Sequence, residues 1–159
     1  MFLNKKKTIF LISVSALIFI LTVNQVKSQT IKIVDGDTIY LNGEKIRFTG
    51  IDTPELKQTC LKDGINAPCG VTARQILIDK IGNNTVVCIS EGKDQYKRTL
   101  AECFVNNESL SSYLVRNGYA FAYRKYSKKF IIDEEYAKDN QKGMWSMDFQ
   151  YPWDYRKNN

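Results

Sequence analysis

Beyond Thr30 the apolar positions first alternate with polar ones in short runs and then recur at helical spacing. Thr30–Val34 and Thr38–Leu41 are short and rich in β-branched residues, which predicts two strands. Asn42-Gly43 follows, the dipeptide of a tight hairpin. Lys45–Ile51 reads as the returning strand, with Ile46 and Phe48 on one face and Arg47 and Thr49 on the other. Asp52 to Pro68 reads as a long loop. In Gly70–Ile81 the residues Val71, Leu77, Ile78 and Ile81 lie near helical spacing, and Gly82 supplies the stop. Thr85–Ser90 and Thr99–Val105 predict two further strands joined by a charged segment. Glu108–Asn117 reads as a helix stopped by Gly118, Tyr119–Ala122 as a short fifth strand, and Lys129–Lys142 as a last helix stopped by Gly143, before an aromatic tail.

Strands first and helices later imply an α+β fold. A small closed barrel with helices at its side would remove exposed sheet edges. The pattern alone does not choose that barrel over other α+β folds.

The start of the chain has a different character. Lys5, Lys6 and Lys7 precede an uncharged apolar run from Thr8 to Val23, and Val26-Lys27-Ser28 ends in a small residue. This is the layout of a signal peptide with cleavage before Gln29. The alternative is an uncleaved membrane anchor over residues 8–23, although the run is shorter than the roughly 20 residues of a full span. Either way residues 29–159 are expected outside the cytoplasm, periplasmic or secreted, as one domain.

The leader also changes the reading of charge. The chain has 23 basic and 17 acidic residues, a net of +6, but Lys5, Lys6, Lys7 and Lys27 belong to the leader. The domain keeps 19 basic against 17 acidic residues, a net of +2, too little to argue for nucleic acid from bulk electrostatics. The absence of histidine excludes Ser-His, Cys-His and His-metal chemistry together. All four cysteines lie in the exported part. An even count there favours disulfides, and closeness in sequence favours Cys60–Cys69 and Cys88–Cys103 among three possible pairings. A zinc site is the rival reading, disfavoured because no Cys-x-x-Cys occurs.

Candidate chemistry sits in four clusters: Asp35-Gly36-Asp37-Thr38; Arg47 with Asp52-Thr53-Pro54-Glu55; Asp94-Gln95-Tyr96-Lys97-Arg98; and Leu114-Val115-Arg116-Asn117-Gly118. Asp37 opens one strand and Asp52 ends its neighbour, so a hairpin would bring two carboxylates together. Carboxylates without His or Cys suit a hard cation. Arg47 shares the non-core face of its strand, and Glu55 follows a stiffening proline. A cation to neutralise charge, a carboxylate to activate water and arginine forks for phosphate oxygens are the parts that phosphodiester hydrolysis needs. Each cluster alone has an ordinary reading: Asp-Gly-Asp as a turn, Asp-Thr-Pro-Glu as a helix cap, Arg47 as a solvated strand residue.

In their order and spacing the clusters resemble the thermonuclease, or staphylococcal nuclease-like, family, from about Ile33 to Trp145. The matching residues are Asp35–Thr38, Arg47–Glu55, Asp94–Arg98 with Leu100-Ala101, and Leu114–Gly118. Gln58-Thr59-Cys60, Cys69-Gly70, Tyr126-Ser127 and the Gly143–Trp145 ending look like a disulfide-containing exported branch. The resemblance implies a five-stranded OB-fold barrel with about three packed helices, one calcium ion, and nonspecific cleavage of DNA and RNA by a monomer. It implies Asp37, Asp52 and the Thr53 carbonyl as calcium ligands, with Asp35 behind them. Glu55 would contact the attacking water, Arg47 and Arg98 would bind the scissile phosphate, and Tyr96 and Tyr123 would line the nucleotide pocket. Lys97 stands where the family usually has glycine, a place that suits a turn with positive φ and would strain a lysine; the alternative is that Lys97 adds a phosphate contact. A noncatalytic OB-fold module binding nucleic acid or protein is the alternative, and an envelope domain held by calcium is a third. Neither has use for Asp37, Asp52, Glu55, Arg47 and Arg98 together.

Overall fold

The computed structural model describes residues 28–159, so the expected leader lies outside the described residues except for Ser28. Strands β1 (Ile31–Ile33), β2 (Thr38–Leu41) and β3 (Glu44–Phe48) form an antiparallel meander, with Thr38 opposite Arg47. Asn42-Gly43 makes the tight turn, both residues at positive φ. Strand β8 (Thr99–Val105) then pairs parallel with β3, placing Leu100 opposite Arg47. Strand β7 (Val86–Lys93) pairs antiparallel with β8, completing a five-strand path β1-β2-β3-β8-β7. Short β9 (Glu108–Ser109) pairs with β8 off that path. Among the described residues no backbone ladder joins the edges β1 and β7. The Gln29 amide bridges them instead, its side chain donating to the Val86 carbonyl at 2.8 Å and accepting the Val86 N–H at 2.9 Å.

The fold is α+β with a mixed sheet. Helix α1 (Cys69–Ile81) lays Ala73, Leu77 and Ile81 on the core and leaves Val71 half exposed. Helices α2 (Leu110–Arg116) and α3 (Ile131–Asp139) pack on each other, and Leu110, Leu114 and Val115 are fully buried. Alternation on β3 is as expected: Ile46 and Phe48 are buried, Arg47 only partly.

Several expectations need correction. The strand foreseen through Ile51 breaks at Thr49-Gly50, and β4 (Ile51–Asp52) pairs with β10 (Phe121–Ala122) instead. The loop from Asp52 to Pro68 contains a hairpin, β5 (Cys60–Lys62) and β6 (Ile65–Ala67), turned by Asp63-Gly64, both at positive φ. The predicted helix at Glu108 begins only at Leu110, capped by the Ser109 hydroxyl, which accepts the Ser112 N–H. The aromatic tail contains a fourth helix, α4 (Pro152–Asn158), where three helices were expected.

Both foreseen disulfides are present, Cys60–Cys69 and Cys88–Cys103, and no thiol remains free. Cys88 and Cys103 face each other directly across β7 and β8. Cys60 and Cys69 belong to a second core, where Phe121 meets Trp145, Phe149, Tyr151 and Trp153 edge to face or tilted at 5.0–6.2 Å. This core fixes the tail, and with it α4, against the β4–β10 pair that ends in Asp52. No described helix is long and apolar enough to cross a membrane.

Candidate active site

The turn Asp35-Gly36-Asp37 hands the chain from β1 to β2. The Asp37 N–H donates to the Asp35 carboxylate at 3.1 Å, an Asx-turn. Gly36 packs closely on Thr53, since a Cβ there would lie 3.0 Å from three Thr53 side-chain atoms and Thr53 would have to shift. The turn therefore rests on Thr53, and Thr53 returns the contact. Its N–H and hydroxyl both donate to one Asp37 oxygen, at 2.9 and 2.8 Å. The other oxygen accepts the Thr38 hydroxyl at 3.2 Å and pairs with Arg47. Asp37 is 2% exposed and Asp52 1%.

Arg47 joins these two buried carboxylates. Nη1 pairs with Asp37, while Nη2 donates to Asp52 Oδ1 at 2.8 Å and to the Ile51 carbonyl at 3.3 Å. Register explains the geometry: Arg47 lies opposite Thr38, the neighbour of Asp37, and the turn at Thr49-Gly50 folds Asp52 back alongside. Burial pushes the Arg47 guanidinium below its ordinary value and the Asp52 charge opposes this, yet an arginine stays cationic. Burial likewise pushes the Asp35 carboxyl up, against the pull of Arg47.

Glu55 is placed by its backbone. The Gln58 side chain, 1% exposed, accepts the Glu55 N–H at 3.2 Å, and the Gln58 N–H donates to the Glu55 carbonyl at 2.8 Å. Helix α1 abuts the same carbonyl, and a Cβ on Gly70 would fall 1.8 Å from it. The other end of the Gln58 amide donates to the Gln150 carbonyl at 2.6 Å, tying the tail to the Glu55 loop.

That tie brings in a residue absent from the four sequence clusters. Arg156, on α4, donates to Asp52 Oδ2 at 2.7 Å, to Asp52 Oδ1 at 3.3 Å and to Glu55 Oε1 at 2.8 Å. Desolvation, which lowers its guanidinium pKa, is outweighed by these hydrogen bonds, so the value rises above the ordinary one. Gln58 and Arg156 are the two functional-site residues missed. Only the aromatic-basic run Trp153–Lys157 hinted that the tail could approach the site.

Asp35, Asp37, Arg47, Asp52, Thr53 and Glu55 thus lie together. Among the described residues the Asp94–Arg98 cluster makes no ion pair with them. Arg98 turns back within its own loop, its Nε donating to Asp94 Oδ2 at 2.7 Å and its N–H to Oδ1 at 2.9 Å. Slight desolvation of Asp94 is overcome by these bonds, which hold its carboxyl below its ordinary value. The Arg98 charge still acts on Asp35 and Arg47. Lys97 sits at φ 64°, the left-handed position at the end of a three-residue hairpin loop, where glycine would be unstrained. Tyr96 is 71% exposed on that loop. Tyr123 stacks on Trp153, with centroids 5.5 Å apart and planes 5° apart. The two line a groove of about 380 Å³ with Arg124, Lys125 and Lys157.

Among the described residues no three His, Cys, Asp or Glu side chains cluster closely enough to hold a metal ion. The donor chemistry nevertheless fits a hard divalent cation. One guanidinium spans Asp37 and Asp52, so their oxygens lie within reach of a single centre. Asp37, Asp52 and Glu55 pair with two guanidiniums, Arg47 and Arg156, and Asp35 accepts the Asp37 N–H beside them, so the site is built of the oxygen donors that suit a divalent ion.

The family model for the staphylococcal nuclease homologue matches residues 45–147. That span takes in Arg47, Asp52–Glu55 and Arg98; Asp35 and Asp37 precede it and α4 follows it. A probable staphylococcal-like nuclease of rice (Oryza sativa subsp. japonica) is 31% identical over 76% of this chain and 30% of its own length. An uncharacterized protein of Methanocaldococcus jannaschii is 32% identical over 74% of this chain and 70% of its own. An uncharacterized endonuclease of Haemophilus influenzae is 29% identical over 74% of this chain and 65% of its own. The chain spans less than a third of the length of the rice relatives it matches.

Proposed function

The chain belongs to the staphylococcal nuclease family, and on that premise we propose that it is a calcium-dependent nuclease cleaving phosphodiester bonds of DNA and RNA without sequence specificity. The observation that carries this reading is the pair of buried carboxylates, Asp37 and Asp52, spanned by Arg47 beside Glu55. A ligand-binding barrel has no reason to bury two acids around one arginine.

In this reading Asp37, Asp52 and the Thr53 carbonyl hold calcium, with Asp35 supporting Asp37 from behind. The ion supplies positive charge to the phosphate and to the incoming water. Glu55 orients that water, as base or as positioner. The water oxygen forms a bond to phosphorus and gives up its proton to Glu55 or to solvent, the opposite phosphorus–oxygen bond breaks, and the departing oxygen takes a proton from solvent. Arg47, held between Asp37 and Asp52, would offer its fork to the phosphate beside them. Arg98 leaves Asp94 for a second pair of phosphate oxygens, whose negative charge grows in the transition state. Tyr96, Lys97 and Tyr123 line the path of the strand, with base stacking that tolerates any sequence.

The two disulfides support an oxidising location, and residues 1–28 are then a signal peptide or an anchor for an exported, monomeric domain, residues 29–159. The test is digestion of plasmid DNA and of RNA by the purified protein, with calcium and with a chelator. Cleavage of both in calcium, and of neither in chelator, supports the reading. Full cleavage in chelator rules it out.

A further inference from the structure

Neither oxygen of Asp52 is free. Oδ1 accepts from Arg47 at 2.8 Å and from Arg156 at 3.3 Å, and Oδ2 from Arg156 at 2.7 Å. A cation ligated by Asp52 must therefore displace a guanidinium. The two arginines differ in how firmly they are held. Arg47 is 17% exposed, lies within a sheet strand and also grips Asp37 and the Ile51 carbonyl. Arg156 is 41% exposed and sits on a seven-residue helix at the chain's C-terminal end, beyond the residues that the family shares. Among the described residues Arg156 is also the only partner of Oδ2, so Arg156 is the group a cation at that oxygen must move.

Its surroundings say where it would go. The same helix carries Trp153, stacked on Tyr123, and Lys157, and both line the groove that also holds Arg124 and Lys125. The helix stays docked without the Arg156 ion pairs, because Gln58 binds the Gln150 carbonyl and Trp153 stacks on Tyr123 and meets Phe121 edge to face at 6.2 Å. A freed guanidinium would thus remain beside Asp52 and Glu55, facing the position of the scissile phosphate, with a planar fork suited to phosphate oxygens.

We propose that Arg156 is a third arginine of the site, which gives up Asp52 and Glu55 when calcium binds and takes substrate phosphate instead. The inference rests on the calcium-nuclease reading. In the metal-free protein Arg156 is a built-in counter-ion that competes with calcium; in the loaded protein it is a phosphate ligand supplied by the C-terminal helix.

The test uses the full chain and two readouts other than activity. Calcium binding is measured by titration calorimetry without nucleic acid for the parent, Arg156→Ala and Arg156→Lys. Arg156→Ala should bind calcium about two- to fivefold more tightly, the scale of a partly exposed ion pair, and Arg156→Lys should lie between. In calcium, affinity for a short phosphorothioate oligonucleotide should fall about tenfold in Arg156→Ala, because a charge-assisted phosphate contact is lost. Tighter calcium binding with weaker oligonucleotide binding supports the exchange. Calcium affinity that is unchanged or weakened in Arg156→Ala overturns it, as does unchanged oligonucleotide affinity. A parent that binds no calcium overturns both this inference and the reading beneath it, whereas a parent that binds calcium like Arg156→Ala overturns this inference alone.

Discussion

Replacing Arg47 with methionine removes the cation that Asp37 and Asp52 share while keeping most of the side-chain volume. The two carboxylates are 2% and 1% exposed, so their charges are left facing each other with little solvent. Removing one partner of a buried ion pair costs about 3–5 kcal/mol. Arg156 still holds Asp52, and Thr53 still donates twice to Asp37, which places the loss at the lower end, about 3 kcal/mol. The 132 residues from 28 to 159 unfold with an entropy of about 2.1 cal/mol/K each, so the melting temperature in chelator should drop by roughly 10 °C. Calcium should then raise the variant's melting temperature by more than the parent's, because the ion relieves two buried carboxylates that have lost the cation they shared. Calorimetric melting in chelator and in a calcium series measures both effects. A variant within about 2 °C of the parent in chelator, or an equal calcium shift in the two proteins, would refute the claim that these carboxylates form one cation site.

Three further outcomes follow from the Asp94–Arg98 loop. Lys97→Gly relieves a left-handed residue that costs about 1 kcal/mol or more, partly offset by the greater freedom of glycine when unfolded, so stability should rise by about 0.5 kcal/mol; a drop in urea midpoint would contradict the turn. Asp94 has its pKa depressed below 3.8 by Arg98, so its contribution is present above that value and lost as pH falls through the folded value. Urea unfolding of the parent and Asp94→Asn should differ by a constant amount at neutral pH and converge below about pH 4, and a gap that persists unchanged into acid would count against the pairing. Arg98→Lys keeps the charge and loses the fork, so single-turnover cleavage should slow about a hundredfold to a thousandfold; a parent-like rate would leave Arg98 as a partner of Asp94 and nothing more.

The sheet was legible because its signals are local. β-branched runs, the Asn42-Gly43 turn and alternation at Ile46, Arg47 and Phe48 each depend on neighbours within a few residues. The β5–β6 hairpin carried a comparable signal in Asp63-Gly64, but its strands are three residues long and Leu61 and Ile65 are exposed, so no alternation marked them. The carboxylates of the site were legible because Asp35–Asp37 and Asp52–Glu55 flank one meander whose register brings them together. Arg156 was not, because it meets Asp52 across 104 residues and owes its place to the second aromatic core and to Gln58. Contacts made through a tail folded back over the sheet leave no period and no motif. The Arg98 arrangement was half legible: the loop and the strain at Lys97 were foreseen, but not that Asp94 holds the guanidinium.

The central claim, that Asp37 and Asp52 hold calcium for phosphodiester cleavage, is tested most directly by one rate. Cleavage of a labelled oligonucleotide is followed under single-turnover conditions against free calcium, for the parent and for Asp37→Ala, with circular dichroism showing that the variant is folded. The parent rate should rise from nothing in chelator to a plateau, and the folded variant should stay at the chelator baseline at every calcium concentration. A folded Asp37→Ala that reaches the parent's plateau, or a parent equally fast in chelator, would contradict the account.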